Sequence, residues 1–278
     1  MKTKPLVSAI VPTYNSEGTI EKCLWSLKRQ KHIEIEIIVV DTCSKDKTRE
    51  LVEGLGVKVV ETLARRSEAR NIGARKSAGS FLLFVDSDME LDHSVVERCV
   101  QAIGLGWDAV VIPEISVGEG FWASCRALEK SCYVDDDLIE AARFIRRDVY
   151  ERIEGYDPNL EAGEDWDMDL RIRKAGFKIG RIKAPIMHHE GHLRFQDVII
   201  KRMYYGRFLK KYVRKHPEVA KKQLSPLRSA FSRNWRRLAG DPLHTLGLLL
   251  LKTTEAGITL LYMSLDGDSP GKRDLPRK

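Results

Sequence analysis

Hydrophobic and polar positions repeat with two periods along the first half of this chain. Short apolar runs at residues 6–11, 35–40, 57–60, 81–85 and 109–112 are bounded by polar or turn-forming residues and predict buried strands. Between them the spacing becomes helical. Residues 16–30 place Ile20, Cys23, Leu24 and Leu27 on one helix face, and helices are predicted from Ser44 to about Gly54, over 67–78 and over 95–103. This strand–helix alternation predicts an α/β fold, a mostly parallel sheet covered by helices on both faces. Later the pattern changes. Tyr205, Phe208, Leu209 and Tyr212 recur at helical spacing, with Arg207, Lys210, Lys211 and Arg214 mainly on the other side. Residues 242–265 then form a long apolar stretch with a narrow polar stripe of Thr245, Lys252, Glu255 and Thr259.

Several predicted strands end in polar groups. The first leads into Thr13 and Asn15, the second into Asp41, and the fourth into Asp86-Ser87-Asp88. In open α/β sheets, ligands bind at the carboxyl ends of the strands. Two carboxylates one residue apart can point the same way from an extended chain. Asp86 and Asp88 can thus hold a hard divalent cation, Mn²⁺ or Mg²⁺, whose other ligands would be waters and phosphate oxygens.

Composition narrows the partners. The 278 residues carry a formal net charge of +7, which points to an anionic partner such as a nucleotide, a lipid phosphate or a nucleic acid. The excess is concentrated between Lys201 and Arg237, where Glu218 is the only acid. Five cysteines, none in a Cys-x-x-Cys pair, disfavour a disulfide scaffold or a zinc site and suit a reducing cytoplasm. The first apolar run ends at Pro12 and is too short for a secretory leader, so the catalytic part is expected in the cytoplasm. No Gly-x-Gly-x-x-Gly follows the first strand and no Walker A sequence is present, which disfavours a dinucleotide dehydrogenase or a P-loop enzyme. The basic stretch has aromatics but no recognised nucleic-acid-binding module.

Six segments, in order, carry a resemblance. They are Val7-Ser8-Ala9-Ile10-Val11-Pro12-Thr13-Tyr14-Asn15, Ile37-Ile38-Val39-Val40-Asp41, Ala69-Arg70-Asn71-Ile72-Gly73, Phe84-Val85-Asp86-Ser87-Asp88, Gly155-Tyr156-Asp157 and Gly163-Glu164-Asp165-Trp166-Asp167. Together they resemble family 2 glycosyltransferases of the GT-A (Rossmann-like) fold over roughly residues 6–190. The resemblance implies an inverting enzyme that uses a nucleotide-diphosphate sugar, UDP- or GDP-linked. It departs from the family after the second strand, where Asp-Asp-Gly-Ser is frequent and Asp41-Thr42-Cys43-Ser44 stands here.

The resemblance implies a role for each motif. Pro12, Thr13, Tyr14, Asn15, Asp41, Arg70, Asn71, Asp86 and Ser87 would bind the donor, with Asp41 accepting from the base and Arg70 beside the phosphates. Asp86 and Asp88 would hold Mn²⁺ or Mg²⁺, Asp88 more directly and Asp86 nearer the ribose. A histidine after the strand predicted at 182–187 would complete the metal site. Strand alternation turns His188 and His189 to opposite faces, so at most one serves, and His189 is preferred. Asp165 would be the general base. Acids in a first helical turn also suit the helix dipole, which accounts for part of the cluster Glu164, Asp165, Asp167 and Asp169. Arg146 or Arg147 can approach the diphosphate or simply end a charged strand. Residues 118–138 fall between the motifs, where acceptor-specific loops usually sit.

The resulting layout is a GT-A catalytic domain over 1–195, a basic amphipathic helical extension over 196–238, a membrane-associated helix or hairpin over 239–265 and a basic tail over 266–278. A basic helix with interfacial tyrosines suits an anionic membrane surface. Residues 242–265 are long enough to span, but Lys252 and Glu255 near the centre oppose it. The expectation is a peripheral or monotopic enzyme on the cytoplasmic membrane face, acting on a lipid-linked or polyprenyl-phosphate acceptor. Met89-Glu90-Leu91 does not match polyprenyl-phosphate sugar synthases, which weakens that narrower reading. The alternative is a non-catalytic nucleotide-sugar-binding partner of a membrane glycan assembly complex, which the intact Asp86, Asp88 and Asp165 argue against.

Overall fold

A computed structural model describes residues 7–225 and 228–264. Leu6 and the basic tail at 266–278 lie outside the described residues. In chain order the elements begin β1 (Val7–Thr13), α1 (Ile20–Lys28), β2 (Ile35–Asp41), α2 (Thr48–Gly54), β3 (Lys58–Glu61), α3 (Arg66–Lys76), β4 (Phe81–Phe84), β5 (Met89–Leu91), α4 (Val95–Gly104) and β6 (Ala109–Val111). They continue with β7 (Glu114–Glu119), α5 (Phe121–Ser131), β8 (Ala142–Arg146), α6 (Arg147–Arg152), α7 (Glu164–Lys174), β9 (Ile179–Arg181) and β10 (Ile186–His192). Five helices follow: α8 (Phe195–Lys215), α9 (Pro217–Gln223), α10 (Ser229–Arg233), α11 (Trp235–Gly240) and α12 (Pro242–Ser264).

The chain forms two compact units. One comprises Met1–Ile115, Glu140–Asn159 and Glu164–His189; the other comprises Ser116–Ile139, Leu160–Gly163 and Glu190–Lys278. This differs from a single boundary at residue 195. Residues 116–139 fold with the C-terminal helices because α5 supplies the surface on which α12 packs, a long-range partnership that no local pattern announces.

In the first unit, seven strands form one sheet in the order β3-β2-β1-β4-β8-β6-β9. Strands β1 to β4 are mutually parallel, as are β6 and β9, and β8 alone runs antiparallel to both its neighbours. The apolar runs are nearly continuous because both faces are covered. Val7, Ala9, Val11, Val39 and Leu83 enter one core with α1 and α4, while Ile10, Ile38, Val40, Leu82 and Phe84 enter the other with α3 and α7. From β1 the chain builds outward to β2 and β3, then returns to lay β4 on the other side of β1. The gap between the ends of β1 and β4 is therefore a topological switch point, where such sheets bind ligands.

One expected strand is shifted. The run at 182–187 is mostly lead-in, and the strand is β10, which starts just after Pro185. Proline cannot donate to a ladder. Ile186, Met187 and His188 pair antiparallel with Leu91, Glu90 and Met89 of β5. Both histidines are thus inside a strand, not beyond its end.

In the second unit, α8 buries Leu209 and Tyr212, and the Tyr212 hydroxyl donates to Gln223 Oε1 at 2.5 Å. Gly163, at φ +78°, leaves room for this ring: a Cβ there would lie 2.6 Å from Tyr212 Cγ. The aromatic face expected at a lipid interface is therefore largely the core of the helical unit, because Tyr212 has a buried hydrogen-bond partner and packing surface. Helix α12 is continuous, not a hairpin, as its uninterrupted 23 residues contain proline only at the first position.

Candidate active site

The ends of β1 and β2 are tied together first. Thr13 and Asp41 are in register, and Thr13 Oγ1 donates to Asp41 Oδ1 at 2.9 Å. Ser44 adds a hydroxyl bond to Asp41 Oδ1 at 2.5 Å and a backbone N–H bond to Oδ2 at 2.9 Å. Asn15, at φ +47°, donates its N–H to Ser44 Oγ at 2.9 Å, and its Oδ1 accepts from Lys45 N at 2.8 Å. Asp41, expected to meet the nucleotide base, has no exposed surface in this arrangement. It orders the two strand ends, and the half-buried Pro12, Tyr14 and Asn15 form the accessible lip. Across the switch point, the Ser16 and Ser87 hydroxyls lie 2.8 Å apart, so Ser87 joins the β4 end to the β1 end.

A buried arginine forms the centre. Arg70, on α3, is wholly buried and meets three carboxylates: Asp86 Oδ1 at 2.7 Å, Asp165 Oδ1 at 3.1 Å and Glu164 Oε1 at 3.3 Å. Its guanidinium stands 5.0 Å from the Tyr156 ring centroid. The expected phosphate-binding Arg70 thus has no accessible surface and three acidic partners here, with Nε the nitrogen that has no hydrogen-bond partner. Asn71 is also engaged internally. Its Oδ1 accepts from the Tyr150 hydroxyl at 2.6 Å and Tyr156 N at 2.9 Å, and its Nδ2 donates to Tyr156 O at 2.9 Å. Arg70 and Asn71 hold the acids and the Gly155-Tyr156 turn in place.

The two acids of the Asp-Ser-Asp motif have different surroundings. Asp86 gives Oδ1 to Arg70 and Oδ2 to Arg143 Nη1, the latter at 3.4 Å. Burial opposes its ionisation, yet Arg70 and then Arg143 hold the carboxyl far below the usual range. Asp88 faces a histidine, and it is His188, not His189: His188 Nε2 lies 3.5 Å from Asp88 Oδ2. His188 Nδ1 lies 3.5 Å from Glu114 Oε2, and Glu114 is held in turn by Arg143 Nη2 at 2.6 Å. The preferred His189 turns to the opposite face and meets Glu90 Oε2 at 2.9 Å. Alternation along β10 decides this, once both residues are inside the strand.

Asp88 and His188 are the two potential cation donors that face one another here. Cis ligands about 2.1 Å from an octahedral Mg²⁺ or Mn²⁺ lie about 3 Å apart, so Asp88 Oδ2 and His188 Nε2 are near a shared shell. A carboxylate on the other ring nitrogen is the usual way to fix the tautomer of a ligating histidine, and Glu114 stands there. Among the described residues no group of three His, Cys, Asp or Glu side chains that could hold a metal ion forms.

Asp165 opens α7. Arg70 and the Tyr156 hydroxyl (3.0 Å) both meet its Oδ1, and the side chain is 30% exposed. Oδ2 stays available. Its neighbour Glu164 is 6% exposed; burial and then the Asp165 charge raise its pKa.

Sequence reasoning passed over Arg143, Glu114 and the Tyr156 hydroxyl. It singled out Arg146 and Arg147 instead. Phe81 pairs with Arg146 and Leu83 with Phe144, so the end of β8 lies at the start of β4, away from Asp86. Arg146 there meets Asp108 at 2.9 Å, and Arg147 donates to Ala74 O at 3.0 Å. A reversed strand would have pointed to Arg143, but nothing local reports strand direction.

Comparison with known proteins identifies the family and the fold. Residues 8–163 match the family described as glycosyl transferase family 2. The chain is 29% identical over 210 residues to an uncharacterized glycosyltransferase of Haemophilus influenzae, covering 69% of this chain and 71% of that protein. It superposes on a mannosyltransferase from Pyrobaculum calidifontis, solved with GDP-Man and Mn²⁺, with a TM-score of 0.65 over 93% of this chain and 88% of the other at 18% identity. It also superposes on residues 1–349 of Staphylococcus aureus TarS bound to UDP-GlcNAc, with a TM-score of 0.56 over 94% and 90% of the two chains at 19% identity. Both structures share the mostly parallel α/β architecture of GT-A enzymes. With the family matched across more than half its length, from β1 to the threshold of α7, the chain belongs to glycosyltransferase family 2.

Proposed function

We propose that this glycosyltransferase moves a sugar from a UDP- or GDP-linked donor, with inversion and with Mn²⁺ or Mg²⁺, to a hydroxyl or phosphate of a lipid-linked acceptor at an anionic membrane surface. The observation that carries the reading is the shared anchoring of Asp86 and Asp165 on one buried arginine, at 2.7 and 3.1 Å. That anchor fixes the acid at the end of β4 relative to the one at the start of α7, with Asp165 Oδ2 left to take a proton.

Asp88 and His188 would hold the cation, with Glu114 and Arg143 setting the imidazole. When bound, the cation would offset negative charge on the departing diphosphate. Asp86, both oxygens on guanidinium groups, stays ionised and suits a ribose hydroxyl better than a second metal bond. Asp165 would accept the acceptor proton through Oδ2 while Arg70 and Tyr156 hold Oδ1 still, which keeps the base oriented. Attack opposite the leaving diphosphate gives inversion in a single displacement. A lipid-linked acceptor and a membrane surface fit the exposed cations of α8 to α11, among them Lys201, Arg207, Lys211 and Arg214.

The test is release of nucleoside diphosphate from a panel of UDP- and GDP-sugars with Mn²⁺ or Mg²⁺, using a membrane lipid extract as acceptor source. Turnover of one donor, lost in Asp88→Ala and in Asp165→Asn, is expected. Metal-dependent donor binding with no turnover under any acceptor would favour the non-catalytic binding partner instead.

A further inference from the structure

Helix α12 is inside out. Its charged and polar residues Lys252, Glu255 and Thr259 are buried. Six of its eight leucines face outward: Leu243, Leu246, Leu249, Leu250, Leu260 and Leu261 are 50–70% exposed, while Leu248 and Leu251 are buried. A surface helix in water shows the reverse pattern.

The buried side is held by paired charges. Lys252 Nζ donates to Glu129 Oε1 at 2.7 Å and to Glu255 Oε2 at 2.6 Å. Arg126 Nη2 donates to Glu255 Oε1 at 2.7 Å and its Nη1 pairs with Glu129. One turn further, Arg202 of α8 donates to Thr259 Oγ1 at 2.7 Å. Two glycines let the backbones close: a Cβ on Gly247 would lie 2.5 Å from Cys125 Sγ, and one on Gly206 would lie 2.9 Å from the Tyr262 ring. Rotating α12 by one residue, about 100°, would strand four buried charges. The network therefore fixes which side the leucines face.

We propose that the Leu243–Leu261 stripe is a bilayer-docking face, by which α12 lies in the plane of an anionic lipid surface without crossing it. This rests on the membrane-surface part of the reading above. The stripe runs about 27 Å at 1.5 Å per residue and bears no charge. Crossing is opposed by the partners: α5 and α8 pack along α12 and would enter the hydrocarbon with it, carrying the exposed Lys201, Arg207 and Lys211. A lipid occupant is indicated by what precedes the stripe. Trp235 is 59% exposed, and Arg233, Arg236 and Arg237 beside it are also exposed, an aromatic and basic border suited to anionic headgroups.

The full chain would be floated with phosphatidylcholine vesicles containing or lacking 30% phosphatidylglycerol. Binding is expected to the anionic vesicles, reduced at least tenfold in Leu246→Asp/Leu250→Asp. Leu105→Asp, at a site 82% exposed in the first unit, is expected to bind like wild type. Orientation would be read with an impermeant maleimide on intact and lysed cells, using Ala239→Cys or Ser264→Cys in a Cys43→Ser background, since Cys43 is the exposed cysteine among five free ones. Both sites reacting from the same side supports the proposal. Reaction from opposite sides overturns it while leaving a membrane enzyme. A soluble chain with no vesicle affinity overturns both, and a soluble dimer dissociated by the double substitution assigns the stripe to a second copy of the chain.

Discussion

Replacing Arg70 tests the centre of the site. Arg70→Met keeps most of the volume but leaves Asp86, Asp165 and Glu164 facing one another without their shared cation, where they now lie 2.7, 3.1 and 3.3 Å from it. Removing one partner of a buried ion pair costs about 3–5 kcal/mol. Whole domains are stable by only about 5–15 kcal/mol. With a urea slope of about 3 kcal/mol per molar, the unfolding midpoint should fall by about 1–1.7 M. Circular dichroism in urea at pH 7.5 reads this directly. The loss should depend on pH. Asp86 is held below its unfolded value, so its stabilisation is present above about pH 4 and is lost as pH falls through the depressed folded value. Glu164 runs the other way: its raised folded pKa favours the fold below its unfolded value, and that contribution is lost as pH rises. Without Arg70, protonation as pH falls towards 4 relieves the facing acids, so the difference from wild type should be smaller there than at pH 7.5. Arg70→Lys should recover only part of the loss, because one ammonium cannot fork onto three acids. A midpoint within 0.3 M of wild type, or a loss that does not change with pH, would refute the assignment of Arg70 as the anchor of these carboxylates.

Other expectations concern the chemistry and the turn beneath it. Asp165→Asn keeps the shape and the Tyr156 contact but removes the proton acceptor, so kcat should fall about 10²–10⁴-fold with donor affinity unchanged, measured by nucleotide release and calorimetry. His188→Ala should weaken Mn²⁺ binding in the presence of nucleoside diphosphate at least about tenfold and Glu114→Gln by a similar factor, whereas His189→Ala should stay within about twofold; titration followed by Mn²⁺ EPR separates them. Gly155→Ala should destabilise by about 2–4 kcal/mol, seen as a lower Tm, because φ is +67° and the new Cβ would lie 2.7 Å from Asn71 Oδ1 and 2.9 Å from the Tyr150 hydroxyl.

Much of the first unit was legible in the sequence because its signals are local. The apolar runs and the helical stripes placed β1, β2, β4, α1, α3 and α4 within a few residues of their observed bounds, and the polar residues at strand ends marked the ligand side of the sheet. The short motifs carried the family. Other features were not local. The direction of β8 brings Arg143, rather than Arg146, to Asp86, and direction depends on which strands flank it. Alternation along the chain put His188 and His189 on opposite faces, but which face meets Asp88 depends on the pairing of β10 with β5, a strand far off in sequence. Arg70 and Asn71 sit in a family motif, but only the fold shows the acids and backbone that they grip.

The same division holds in the helices. The sequence alone determined that residues 242–264 form an apolar helix with a polar stripe, because composition and spacing suffice for that. Which side of that helix meets protein was decided by the tertiary structure. Arg126 and Glu129 lie more than 120 residues away from Lys252 and Glu255, and burial of paired charges against them turns the leucines outward. Periodicity defines the faces of a helix; only a partner brought near by the fold, with charges that must be neutralised, selects the face that is hidden.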